Sequence, residues 1–131
     1  MTLPAETGFL VVGAGPAGLA AATVLAHTAR VLVLDREAAA GGIPRHCGHY
    51  PFGLREFSRL MKGPDYARAL VARAASAGAT IATGVDVVRL EPGPRVTVTS
   101  DAGVTEIAAR LVLIATGVRE SSRAERLIGG E

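Results

Sequence analysis

Residues Phe9 to Asp35 read FLVVGAGPAGLAAATVLAHTARVLVLD, and this stretch indicates the fold. A short apolar run leads into Gly13, Gly15 and Gly18, which together form the pattern G-x-G-x-x-G. An alanine-rich segment and a second apolar run follow, and the stretch ends on an acid. This order predicts a strand, a tight glycine turn, a helix and a second strand.

Each part of the glycine turn has a physical role in binding an adenine dinucleotide. Gly13 permits the tight turn, Gly15 lets a pyrophosphate approach the backbone, and Gly18 lets the helix pack close to the sheet. The helix starts near Pro16 or Ala17. Its free N–H groups and the positive end of its dipole then point at the phosphates. We therefore predict a dinucleotide site that includes these five residues.

The acid at the end of the second strand bears on which ligand binds. Asp35 lies 20 residues beyond Gly15, where a carboxylate accepts hydrogen bonds from the adenosine ribose. A carboxylate repels a 2′-phosphate, so FAD or NAD is favoured over NADP. Arg36 is a further candidate for cofactor contact, although a solvated charge at the strand end explains it more simply.

Length and composition narrow the class of protein. The chain has 131 residues, 49% hydrophobic and 20% charged, with a net charge of +2, which fits a single globular domain. It has no Trp and no basic stripe, so we expect no nucleic-acid partner. Residues Thr7 to Ala29 contain no Asp, Glu, Lys or Arg, but glycines and Pro16 interrupt them. We therefore expect no membrane span and a cytoplasmic location.

The rest of the chain alternates between helical and strand patterns. The predicted helices are Ala17–His27, a short one within Leu54–Met61, and one that opens at Gly63-Pro64-Asp65 and stops at Gly78. The predicted strands after the first are Arg30–Asp35, Thr80–Thr83, Val87–Leu90, Arg95–Thr99, Thr105–Ala109 and Leu111–Ala115. The predicted fold class is α/β, a Rossmann-like three-layer domain with a parallel sheet and a small antiparallel β-meander over residues 84–109.

This order of elements resembles the FAD-binding half of the glutathione-reductase-type flavoproteins, the pyridine nucleotide-disulfide oxidoreductase superfamily. The glycine turn with Asp35 carries the resemblance, together with the pair Gly41-Gly42 and the stretch Ala115-Thr116-Gly117. The resemblance implies that FAD is the cofactor. It also implies further cofactor-binding residues, namely Gly41, Gly42, Val87 through its backbone, Ala115, Thr116 and Gly117. Arg45 and Arg119 are candidates for charge contacts with the cofactor.

A narrower resemblance lies in GGIPRHCGHYPFGLREF, residues 41–57, followed by GPDYARAL. These stretches are similar to the FAD-dependent components of amine or amino-acid dehydrogenases, such as those of opine oxidase, hydrogen cyanide synthase and dye-linked proline dehydrogenase. The resemblance implies an amine or amino-acid substrate, an oligomer, and a partner that is a second flavoprotein or an iron-sulfur subunit. Such proteins are much longer. We therefore expect residues 1–131 to be the FAD/NAD(P)-binding part of a longer flavoprotein. On their own, these residues should hold FAD poorly and be inactive.

The loop also contains His46, Cys47 and His49, which suggest redox or metal chemistry. An internal disulfide relay needs two cysteines, and this chain has one. Structural zinc needs four ligands, and these residues supply at most three. We therefore predict no metal site and no thiol relay. The histidines are explained equally well as substrate-side groups, as partner contacts or as exposed loop residues.

Two other functions stay open. One is an NAD(P)H-dependent flavoprotein reductase of the pyridine nucleotide-disulfide oxidoreductase type. The other is a structural nucleotide-binding protein that does no redox chemistry. No residue of the sequence stands out as a general base, so the catalytic residues are unknown.

Overall fold

The computed structural model describes residues 2–118, which form a six-stranded sheet with helices on one face. The strands are β1 (Glu6–Val12), β2 (Val31–Asp35), β3 (Thr80–Thr83), β4 (Asp86–Glu91), β5 (Arg95–Ser100) and β6 (Gly103–Ile114). The helices are α1 (Pro16–Leu25), a 3₁₀ helix (Ile43–His46), α2 (Leu54–Phe57) and α3 (Gly63–Ser76). The spatial order of the strands is β3-β2-β1-β6-β5-β4.

Four of the six strands, β3, β2, β1 and β6, form a parallel part of the sheet. β1 pairs with β2 on one side and with β6 on the other, and β3 pairs with β2. Residues Val31 to Leu34 of β2 are all buried. An unbroken apolar run of this kind is typical of a parallel strand that is covered on both faces.

The predicted three layers are present. On one face of the sheet, Val11 and Val33 pack in a cluster with Leu19 of α1 and Leu70 of α3. Side chains alternate along a strand, so the neighbouring residues point to the other face. There, Leu10, Leu32 and Leu34 pack in a second cluster with Val96, Val98 and Ile107 of the meander. Helices, parallel strands and meander are thus stacked in that order, which confirms the predicted fold class.

The meander and the last parallel strand share one continuous strand. β6 runs from Gly103 to Ile114, and Ala108 pairs with Arg95 of β5 as well as with Glu6 of β1. The prediction of two separate strands, Thr105–Ala109 and Leu111–Ala115, was therefore wrong. The exposed Arg110 between them interrupts the apolar pattern, but the backbone stays extended because β1 pairs with it on both sides of that residue.

Smaller differences concern the ends of helices. α1 ends at Leu25, two residues before the predicted end, and His27 and Thr28 continue as a turn. α2 ends at Phe57 because Ser58 adopts a left-handed conformation with φ of 50°. Met61, predicted within that helix, instead forms an isolated bridge with Phe52. Within residues 2–118, none of the helices has the length and apolarity that a membrane crossing requires.

Candidate functional site

The carboxyl ends of β1, β2 and β6 meet at one edge of the sheet and are tied together by the backbone. The N–H of Gly13 donates to the carbonyl of Leu34 at 2.7 Å. The N–H of Ala115 donates to the carbonyl of Val12 at 2.8 Å. The glycine turn, the end of β2 and the Ala115-Thr116-Gly117 segment are therefore held next to each other, at the edge where ligands bind in open α/β sheets.

The glycines of the first turn have different surroundings. Gly13 has φ of 110°, and a Cβ added there would overlap the backbone of Ala115. A Cβ on Gly18 would overlap the carbonyl of Gly13. A Cβ on Gly15, in contrast, would touch only the Cα of Gly42, at 3.9 Å. Gly13 and Gly18 thus serve the close packing of the chain, whereas Gly15 leaves space that a ligand can use.

The amino end of α1 borders that space. Gly15 precedes the helix in an extended conformation, Pro16 is in its first turn, and no side chain of the described residues caps it. The first backbone N–H groups of a helix have no partner within the helix. Here they are free to bind an anion such as a phosphate.

Asp35 is held by the backbone on both of its carboxylate oxygens. Oδ2 accepts a hydrogen bond from the N–H of Ala14 at 2.7 Å, and Oδ1 accepts one from the N–H of Glu37 at 2.9 Å. A carboxylate oxygen has two lone pairs, so each still has one for a further donor. The carboxylate therefore links the glycine turn to the end of β2 and remains able to accept hydroxyl groups of a ribose.

The second glycine pair places the following loop against the first turn. The N–H of Gly41 donates to the carbonyl of Ala14 at 2.7 Å. Gly42 has φ of 63°, and a Cβ there would lie 2.8 Å from the Cα of Gly15. Gly42 thus brings two backbone segments into contact at the edge of the site, while Gly41 lies behind it.

Arg45, in the 3₁₀ helix, supplies a fixed positive charge. Its side chain is only 22% exposed, and one terminal nitrogen lies 4.0 Å from Oε2 of Glu37. Among the residues that the structure describes, its Nε is buried without a hydrogen-bond partner. A buried donor of this kind is costly unless an acceptor reaches it, which fits a site for an anionic ligand.

These elements surround a cleft of about 860 Å³, a size typical of cofactor sites. Most of the residues predicted from the sequence line it: Gly13, Gly15, Pro16, Ala17, Asp35, Arg36, Gly42, Arg45, Val87, Ala115, Thr116 and Gly117. Gly18 and Gly41 lie behind this lining, and Arg119 lies outside the described residues.

Sequence reasoning missed several lining residues, among them Glu37, Val85 and Asp86. Val85 donates its N–H to the carbonyl of Asp35 at 3.0 Å, which brings the start of β4 across the end of β2. Glu37 lies only two residues after Asp35, so its place in the sequence could have indicated that it lines the cleft. The sequence gives no such indication for Val85 and Asp86, because their place depends on where the chain crosses over β2.

The His46, Cys47 and His49 group does not assemble into one site. His46 lines the cleft. The Cys47 thiol donates to the carbonyl of Ile43 at 3.6 Å and lies outside the lining, and the exposed His49 packs on the ring of Phe52 at 5.6 Å. Within residues 2–118, no three His, Cys, Asp or Glu side chains are grouped so as to hold a metal ion.

A cluster of aromatic side chains supports the loop behind the site. The ring of Tyr66 stacks on Phe52 and meets Phe57 edge-on, and its hydroxyl donates to Oε1 of Glu56 at 3.4 Å. Burial, and then the nearby Glu56 carboxylate, raise the pKa of Tyr66, while Arg73 opposes this shift. The cluster joins α3 to the segment between the 3₁₀ helix and α2.

Solved structures with the same fold belong to redox and other proteins. L-proline dehydrogenase from P. horikoshii is 22% identical with a TM-score of 0.78, over 89% of this chain and 24% of that chain. Thermovibrio ammonificans THI4 is 25% identical with a TM-score of 0.70, over 86% and 58%. A thioredoxin reductase from Gloeobacter violaceus is 23% identical with a TM-score of 0.73, over 95% and 43%. The chain therefore spans between a quarter and three fifths of these structures. A comparison with curated protein sequences finds no match.

The sequence itself matches a family model over most of its length. The match runs over residues 8–122 and is to the family described as pyridine nucleotide-disulphide oxidoreductase. It includes the glycine turn, Asp35, the Gly41-Gly42 pair and the end of β6, which are the elements that surround the cleft. The chain therefore belongs to the pyridine nucleotide-disulphide oxidoreductase family of flavin-binding oxidoreductases.

Proposed function

We propose that this chain is the FAD-binding portion of an FAD-dependent oxidoreductase. The observation that carries the proposal is the convergence of four elements on one cleft of about 860 Å³. These are the glycine turn, the fixed carboxylate of Asp35, the guanidinium of Arg45 and the Thr116-Gly117 segment. An adenine dinucleotide needs donors for its pyrophosphate and an acceptor for its ribose. The cleft supplies both.

Different lining residues would bind different parts of the cofactor. The N–H groups at the start of α1 and the side chain of Arg45 would hold the pyrophosphate. Asp35 would hold the adenosine ribose, and the backbone of Val87 would face the adenine edge. Ala115, Thr116 and Gly117 would border the flavin side. When bound, FAD accepts the electrons that the substrate gives up, and the protein supplies binding and orientation.

The substrate that we propose is an amine or an amino acid. The loop over residues 41–57 supports this through its resemblance to the flavoprotein components of amine and amino-acid dehydrogenases, and L-proline dehydrogenase shares the fold. A partner that is a second flavoprotein or an iron-sulfur subunit, an oligomeric state and a cytoplasmic location belong to the same proposal. The partner and the oligomeric state can be tested on the protein isolated with whatever co-purifies with it, and the location by fractionation of cells.

A calorimetric titration of the full chain with FAD tests the cofactor. We expect weak but saturable binding, which Gly15→Val weakens further because the new side chain fills the space beside Gly42. Gly48→Val is the matched control, since a Cβ there meets nothing within 4 Å. Gly48 is also outside the cleft lining. The proposal fails if the wild-type chain does not bind FAD, or if Gly15→Val binds FAD as well as Gly48→Val does.

A second candidate is an NAD(P)H-dependent flavoprotein reductase, which the similarity of fold to thioredoxin reductase favours. The two functions differ in what reduces the flavin. The FAD-loaded protein, with its co-purifying partners, should lose its visible flavin absorbance on addition of an amine or amino acid if it is a dehydrogenase. Bleaching by NADPH or NADH alone would support the reductase. Binding of ADP without any binding of FAD would support a structural nucleotide-binding protein.

A further inference from the structure

The stem of Arg45 is fixed by the fold. A Cβ on Gly41 would lie 3.0 Å from Cγ and 3.3 Å from Cδ of Arg45, and 2.7 Å from the Cβ of Ala67. The glycine at position 41 thus leaves the room in which the arginine stem lies between the loop and α3. Because the stem is packed in this way, the guanidinium does not depend on an ion pair for its orientation.

In the described part of the chain, few hydrogen-bond acceptors reach the guanidinium of Arg45. Among the described residues, its Nε is buried without a hydrogen-bond partner, and its one carboxylate neighbour is Glu37 at 4.0 Å. This distance is at the limit of an ion pair and too long for a hydrogen bond. A diphosphate has the geometry to accept two hydrogen bonds from an arginine. It is therefore a better partner for Arg45 than Glu37 is.

Glu37 is attached firmly through its backbone and loosely through its side chain. Its N–H donates to Asp35, and its carbonyl accepts the N–H of Gly84 at 2.9 Å. Its side chain is 57% exposed, and its Oε1 also lies 3.8 Å from Nε of Arg36. If the Glu37 carboxylate lost its contact with Arg45, it would therefore still have Arg36 as a neighbour.

From this arrangement we propose that Glu37 is an exchangeable counter-ion of Arg45, which the diphosphate of the incoming ligand replaces. Glu37 is thus a positioning residue that weakens binding of the ligand and keeps the charge of Arg45 balanced before binding. On binding, the Glu37 side chain keeps Arg36 as its partner. This inference rests on the proposed function in one respect, namely that the ligand of the cleft contains a diphosphate.

The test is a calorimetric titration of the full chain with ADP and, separately, with FAD. The proteins are the wild type, Glu37→Gln, Arg45→Gln and the double variant. Arg45→Lys is added because it keeps the charge if Arg45→Gln folds poorly. Glu106→Gln is the matched control: Glu106 is 53% exposed and lies 3.6 Å from Arg95, away from the cleft lining.

We expect Glu37→Gln to tighten ADP binding by about twofold to fivefold, the range for an exposed ion pair. Arg45→Gln should weaken ADP binding roughly tenfold or more, since a hydrogen-bonded charge is lost. In the Arg45→Gln background, Glu37→Gln should have much less effect. Glu106→Gln should change nothing. Tighter binding is a useful readout because damage to the fold weakens binding.

Unchanged or weaker ADP binding by Glu37→Gln would overturn the inference. So would an equal gain with and without Arg45, because this would indicate general charge repulsion and not an exchange of partners. The two proposals fail separately. If ADP shows these effects and FAD does not bind, the FAD proposal fails alone. If FAD binds and Glu37→Gln has no effect, the counter-ion inference fails alone. If neither ligand binds, both fail.

Discussion

The glycine turn has two sides that differ in what makes glycine necessary. On its inner side, Gly13 and Gly18 face the chain itself, and a side chain at either position would overlap backbone atoms. On its open side, Gly15 has an ordinary extended conformation and faces the cleft. One motif therefore combines two glycines that the fold requires with a third, Gly15, at which the fold itself leaves room for a side chain. Substitutions should separate the two requirements.

The largest effect is expected on the inner side. Gly18→Ala places a methyl group against the carbonyl of Gly13, so α1 must move away from β1. Overpacking against side chains costs about 1–3 kcal/mol, and backbone yields less, so we expect a loss of about 3 kcal/mol or more in the free energy of unfolding. Denaturant unfolding measures this, with Gly48→Ala as the control. A loss of about 1 kcal/mol or less would mean that the two sides of the turn are equivalent.

On the open side, a substitution should weaken ligand binding more than it lowers the stability of the fold. Gly15→Val should change the free energy of unfolding by about 1 kcal/mol or less, the scale of a helix-cap substitution. The same variant should weaken binding of FAD by about a hundredfold, equivalent to about 2.7 kcal/mol. Unfolding and calorimetry on one preparation give both values. A variant that unfolds readily and yet binds the cofactor would reverse the assignment.

Asp35 accepts a hydrogen bond from the glycine turn and also lines the cleft, so its substitution should affect both stability and binding. Asp35→Ala removes the acceptor for a ribose, which should weaken binding by about 1.5–3 kcal/mol, or roughly tenfold to a hundredfold. It also leaves the N–H groups of Ala14 and Glu37 without their present acceptor. We therefore expect an additional loss of about 1 kcal/mol in stability. If binding changes by less than about twofold while stability falls, Asp35 serves only the fold.

The smallest effect concerns Tyr66, which lies behind the cleft. Its pKa is raised above the ordinary value of 10.0, so the folded protein holds this proton more tightly than the unfolded chain does. The contribution of Tyr66 to stability should therefore be fully present below about pH 10 and be lost as the pH rises through the folded pKa. Tyr66→Phe should reduce this loss relative to the wild type. Unfolding measured on both sides of pH 10 tests the difference, and cofactor binding should be unaffected.

Local sequence patterns predicted the parts of the site that lie close together in the chain. The glycine turn and Asp35 could be predicted because the strand, the turn and the helix follow one another at fixed spacings along the chain. β3 agrees with its predicted bounds, Thr80–Thr83. Asp86 could not be found in this way, because no local pattern shows that the chain crosses the end of β2 there. The pairing of β6 with two neighbours is equally non-local, and so the charge of Arg110 was mistaken for a break.

Because β6 belongs to both the meander and the parallel strands, its length sets where Ala115 lies relative to the meander. One end of β6 is fixed by its pairing with β5, with Val96 opposite Ile107, and the other end delivers Ala115 to the glycine turn. Deleting one residue between them would turn every later side chain to the opposite face of the sheet. Variation in length should therefore be tolerated in the turn at Asp101 and Ala102, where the backbone is exposed, and not within β6. We therefore expect homologous chains to differ in the length of that turn and to keep the number of residues between Ile107 and Gly117.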